Sequence, residues 1–66
     1  MGVKVEFSSG KTATYKNATG FKQNSDEFFK GKSGKGYRAP AYVIFFGKGK
    51  KPIHFRKSMV RSIYQV

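Results

Sequence analysis

Cysteine is absent from this 66-residue chain, so neither a disulfide framework nor a thiolate metal site can add stability. Acidic residues are scarce: Glu6 stands alone and Asp26 and Glu27 are neighbours, too few for a calcium or magnesium cage. The single histidine, His54, cannot build a zinc site by itself. No segment approaches the roughly 20 apolar residues that cross a bilayer, and the longest apolar run, residues 41–46, has only the length of a strand. Met1-Gly2-Val3-Lys4-Val5-Glu6 alternates from the outset and has no apolar signal-peptide core. Glu6 also stands where an N-terminal acylation signal carries Ser or Thr. Asn17-Ala18-Thr19 fits a glycosylation sequon, which in a chain without an export signal reads as coincidence. Together these absences predict a cytoplasmic protein with no cofactor, no metal and no membrane partner.

The same shortages weigh against catalysis. General acid–base work needs paired carboxylates or a positioned histidine. Asp26 and Glu27 point to opposite faces of an extended chain, and His54 has no acid near it in sequence. Gly31-Lys32-Ser33 matches the end of a phosphate-binding loop. The full pattern would need glycine at position 26, which is Asp26, and an apolar strand before it, where the chain is polar. The expectation is a binding protein and not an enzyme.

What the chain has in excess is positive charge. Fourteen Lys and Arg against three acids give a net charge of +11. A magnitude of about 8 already suffices for the solubility of a small domain, and the surplus steers association with polyanions. Seven Phe and four Tyr supply the core. They are needed, because a chain this short buries only about 60% of its unfolded surface.

Apolar alternation predicts one domain, residues 1–66, of all-β class. Val3, Val5 and Phe7 alternate with Lys4 and Glu6 as a half-buried strand, and residues 11–16 alternate again. A three-residue loop, Ser8-Ser9-Gly10 with Gly10 left-handed, pairs Val5 with Ala13 and Val3 with Tyr15. Residues 17–26 read as a connection anchored by Phe21, residues 27–30 as a short strand, and residues 31–40 as a basic, glycine-rich loop. Residues 42–46 are apolar on both faces and predict the central strand. After a turn over residues 47–52, Ile53 and Phe55 alternate with His54 and Arg56; residues 57–60 form a tight turn and residues 62–66 a last strand. Five or six short strands with a one-turn helix before the last predict a small SH3-like or Sm-like barrel. An OB-type barrel is the runner-up.

Three basic clusters interleaved with glycine and aromatics are the candidate binding residues. The first is Lys30, Lys32, Lys35, Tyr37 and Arg38; the second Lys48, Lys50 and Lys51; the third Arg56, Lys57 and Arg61. Glycine lets a backbone approach a phosphate closely, lysine supplies compact charge and arginine engages phosphate in bidentate fashion. Tyr37 and Tyr42 are candidates to stack on bases. Phe7, Phe45, Phe46 and Phe55 are assigned to the core. The predicted partner is DNA or RNA, held mainly through the phosphate backbone with low sequence specificity. The alternatives are an accessory factor or inhibitor of phage or plasmid type docking on an acidic protein surface, and a ribosome-associated protein. Self-association is left open.

In size, charge and the opening Val3-Lys4-Val5-Glu6-Phe7, the chain resembles the seven-kilodalton archaeal chromatin proteins. The likeness covers the first hairpin and implies an SH3-like barrel. That family's C-terminal helix and intercalating residues have no counterpart here, so the resemblance implies no binding residue.

Overall fold

A computed structural model describes residues 2–66; Met1, where the N-terminal reading began, lies outside the described residues. The expected alternation produces strand β1 (Val3–Phe7), and the Ser8-Ser9-Gly10 loop turns it into β2 (Thr12–Tyr15). Gly10 takes φ 94°, its N–H donates to the Phe7 carbonyl at 2.9 Å, and the Phe7 N–H donates to the Lys11 carbonyl at 2.8 Å. Val5 faces Ala13 and Val3 faces Tyr15, as the three-residue loop requires. Four further strands follow: β3 (Ala18–Lys30), β4 (Gly36–Phe46), β5 (Ile53–Arg56) and β6 (Val60–Gln65). A single 3-10 turn, η1 (Lys57–Met59), precedes β6, where the tight turn was expected.

The strands form two antiparallel three-stranded sheets, ordered β2-β1-β6 and β3-β4-β5. β4 is the centre of the second, matching the doubly apolar run that predicts it. No ladder joins the two sheets among the described residues. Their inner faces meet in a core of Val3, Val5, Ala18 and Ile44, closed by Phe7, Tyr15, Phe21, Phe46, Ile53, Phe55, Val60 and Ile63. Phe7 and Phe55 meet edge to face with ring centroids 5.2 Å apart.

Two sequence expectations are corrected. Residues 17–26 are not a connection: from Ala18 onward they are strand, continuous with residues 27–30. Two irregularities hid the alternation. One lies between Ala18 and Gly20, the other between Asn24 and Glu27, where Ser25 and Asp26 oppose the single residue Pro40. Residues 31–40 are not one loop either. The turn ends at Lys35, and Gly36 to Pro40 belong to β4. Pro40 is tolerated because β5 pairs only with residues 41–44 and the bulge relieves the ladder on the other side. Gly36 lies beneath the Phe28 ring, which a Cβ there would strike.

β3 and β4 therefore run past the core as a two-stranded ribbon. Beyond Ala41, the last buried position, five residues of β4 reach about 17 Å. The radius of gyration, 12.2 Å, exceeds the value of about 11 Å for a compact chain of this length.

Candidate nucleic-acid interface

Side chains alternate along β4, so Ile44 and Phe46 enter the core while Tyr37, Ala39, Ala41, Val43 and Phe45 occupy the opposite, outer face. The ladders add their partners to that face. β3 contributes Lys22 opposite Val43, Asn24 opposite Ala41, Glu27 opposite Ala39 and Phe29 opposite Tyr37. β5 contributes His54 opposite Val43 and Arg56 opposite Ala41. The bulge decides the membership: strict alternation from Asn24 would bring Phe28 to this face, and the extra residue substitutes Phe29.

These side chains touch one another in a defined order. The Phe29 and Tyr37 rings stack, with centroids 5.6 Å apart and planes 20° apart. Arg56 lies over the Tyr37 ring at 5.8 Å and its Nη2 donates to the Met59 sulfur at 3.5 Å. At the other end, Lys22 sits 5.6 Å from the centre of the Phe45 ring. Between them, the Asn24 amide donates to Glu27 Oε2 at 2.6 Å, and Glu27 Oε1 lies 3.5 Å from His54 Nδ1. Ala41 and Val43, on the same face beside these polar groups, are 0% and 3% exposed despite facing outward.

Of the eleven residues expected to bind, Tyr37 and Arg56 meet on this face. Lys30 ends β3 opposite Gly36, and Lys32 and Lys35 form the ribbon's tip. Arg38 lies on the other face, where its Nε donates to both Asp26 oxygens at 3.0 Å. Lys48, Lys50 and Lys51 occupy the turn at the far end of β4, about 35 Å from the tip. Lys57 opens η1, and Arg61 is the extra residue where the β1–β6 register shifts between Phe7 and Glu6. The three clusters are thus not one patch. Every Lys and Arg except Lys4 is exposed, and Arg38 alone of the fourteen is ion-paired among the described residues.

Sequence reasoning missed Lys22, Asn24, Glu27 and Phe29, and considered His54 only as a residue that could touch a phosphate beside Arg56. It also assigned Phe45 to the core, whereas its ring lies on the outer face beside Lys22; Phe7, Phe46 and Phe55 do pack against the core. Tyr42 and Tyr37, grouped as stacking candidates, lie on opposite faces of β4. The usable signal was the register of the second hairpin, counted outward from its turn.

A separate groove of about 460 Å³ opens beside the first hairpin, floored by Phe7, Phe55 and Met59 and rimmed by Ser8, Lys11 and Thr12. Among the described residues there is no group of three His, Asp or Glu that could hold a metal, and no helix long and apolar enough to cross a membrane. No protein-family model, curated protein or solved structure matches the chain, and the resemblance noted for the first hairpin stands on those residues alone.

Proposed function

We propose that the chain is a nucleic-acid-binding module, a binder and not an enzyme, that contacts DNA or RNA mainly through phosphates with little sequence preference. One observation carries the reading: a sheet face that pairs aromatic rings with cations, Arg56 on Tyr37 and Lys22 on Phe45, in a chain of net charge +11. Bare lysines alone would suit any polyanion. Rings flanked by cations offer a surface for bases beside a surface for phosphates. The basic ribbon tip extends the same face, and the lysine-rich turn at its far end adds charge.

The two sheets are read as halves of a small SH3-like or Sm-like barrel. Two residues, Lys16 and Asn17, carry β2 into β3, and η1 carries β5 into β6, which returns to β1; this order supports that architecture. It leaves the outer face of the second sheet uncovered.

Fluorescence anisotropy of labelled oligonucleotides at several salt concentrations tests the function. If about five phosphates are neutralised, log K against log salt slopes near −4.5 on a duplex. A slope near zero, or binding only at millimolar concentration, ends the proposal. The groove over Phe7, Phe55 and Met59, with Lys11 at its rim, favours a second reading: docking on an acidic protein surface. Recovery of a single protein by pull-down after nuclease treatment would support that instead.

A further inference from the structure

We infer that the outer face of β3-β4-β5 takes a single strand in preference to a duplex, with an unpaired base stacked at the Phe29–Tyr37–Arg56 end. The inference rests on the nucleic-acid reading above and narrows it to one substrate class.

Three observations select the single strand. First, the aromatic groups stand on an open sheet face. Inside a duplex both π-faces of a base are covered by its neighbours, so a ring on such a surface is useful only to a base that has left the stack. Second, there are two stations. Tyr37 and Phe45 are eight residues apart on β4, about 27 Å, and each has a cation over its ring within 6 Å. A strand that touches both spans several nucleotides, within the range of about 4–16 that small β-barrel binders occupy.

Third, the ground between the stations is polar and partly acidic. Asn24, Glu27 and His54 stand beside Ala41 and Val43 on that face, with the Glu27 and His54 side chains 23% and 35% exposed. A phosphate rail laid there would meet the Glu27 carboxylate. A base edge would instead use it, since a carboxylate accepts from a base N–H, the ring N3–H of thymine included, and the Asn24 amide both donates and accepts. Phosphates are left to Lys22 and Arg56 at the margins and to Lys30, Lys32 and Lys35 at the ribbon tip. Charge complementarity therefore fits a polyanion at the edges of the face, and unpaired bases fit its middle.

The test compares a fluorescein-labelled oligodeoxythymidylate of about 12 nucleotides with a duplex of the same length at the same salt. The expected result is single-strand binding tighter by at least about tenfold. Tyr37→Ala should weaken it about 5- to 150-fold, the loss of one stacked base, while changing duplex binding by less than about twofold. Tyr37 is 39% exposed on the ribbon beyond the core, so the variant keeps the fold, which far-UV circular dichroism checks. The chain has no tryptophan, so Tyr37→Trp introduces a single emission probe, whose fluorescence the oligothymidylate should quench and the duplex should not. Equal or tighter duplex binding, or an unquenched tryptophan in the bound complex, overturns the single-strand inference and leaves the nucleic-acid reading standing. Binding of neither oligonucleotide at low salt overturns both.

Discussion

Two of the hairpin loops share one local code. Phe7-Ser8-Ser9-Gly10-Lys11 and Gly31-Lys32-Ser33-Gly34-Lys35 close with the same pair of backbone hydrogen bonds, at 2.8 and 2.9 Å in the first and 2.8 and 3.1 Å in the second. In both the fourth residue is a glycine of positive φ, 94° at Gly10 and 85° at Gly34. A Cβ on Gly34 would touch nothing within 4 Å, so alanine there meets only the conformational penalty. Gly34→Ala should lower stability by about 1–2 kcal/mol, read as a fall in the urea midpoint without a change in slope. An unchanged midpoint would mean that the turn accepts a different geometry. Phe28 carries a different lesson at this scale. It is 58% exposed, the most exposed of the large hydrophobic side chains, yet it points away from the candidate site and covers Gly36.

At the scale of the element, the bulge over Ser25 and Asp26 controls what the ribbon presents. The backbone N–H of Asp26 donates to Asn24 Oδ1 at 3.2 Å, and Arg38 holds the Asp26 carboxylate on the far face. That ion pair is exposed on both sides and adds about 0–1 kcal/mol at most. Its place on the far face accords with the sorting of neighbours to opposite faces. Two adjacent phenylalanines are predicted to behave differently for this reason. Phe29→Ala should weaken single-strand binding by about fivefold or more, because Tyr37 loses the ring against which it stands. Phe28→Ala should change binding by less than about twofold, within the spread of ordinary surface substitutions. Anisotropy titrations of the two variants decide it, and equal losses would mean that the ribbon is held from both faces.

The first hairpin was legible in the sequence because loop length and core matching agree: only the three-residue loop sets Val3 and Val5 opposite Tyr15 and Ala13. β4 was legible through residues 42–46, and β5 through the alternation of Ile53 and Phe55 with His54 and Arg56. The second hairpin carries the same turn code, but Gly36 and Pro40 read as breakers, and the polar stretch 22–26 masked the strand. Gly36 makes room for a ring, and Pro40 sits where no ladder bond is asked of it, neither of which a local pattern reveals. Phe45 was placed in the core because residues 42–46 are apolar on both faces, which leaves the inward side undecided, and Phe29 was given no face at all. For Phe29 the face is set by cross-strand register, and one extra residue in β3 reverses every β3 assignment beyond it.

Across the whole molecule, charge and shape act together. The described residues extend 36 × 31 × 19 Å, and the lysines of the ribbon tip and those of the β4–β5 turn sit at opposite ends of β4. That separation exceeds the screening length of about 8 Å at physiological ionic strength, so the two ends contribute independently. The sheets have open edges, of which β3 is the longest at 13 residues. Lys22 and Lys30, with both bulges, lie along it, and such charges and kinks keep one molecule's edge from pairing with another's. Positive charge therefore has a colloidal role besides any role in recognition. Saturating it with a polyanion removes the repulsion, and net charge near zero favours association. Light scattering during titration with a long polynucleotide should rise to a maximum near eleven phosphates per chain, the point where +11 is cancelled, and clear again when nucleotide is in excess. A solution that stays clear throughout would mean that the bulged edge guards against self-assembly without any help from charge.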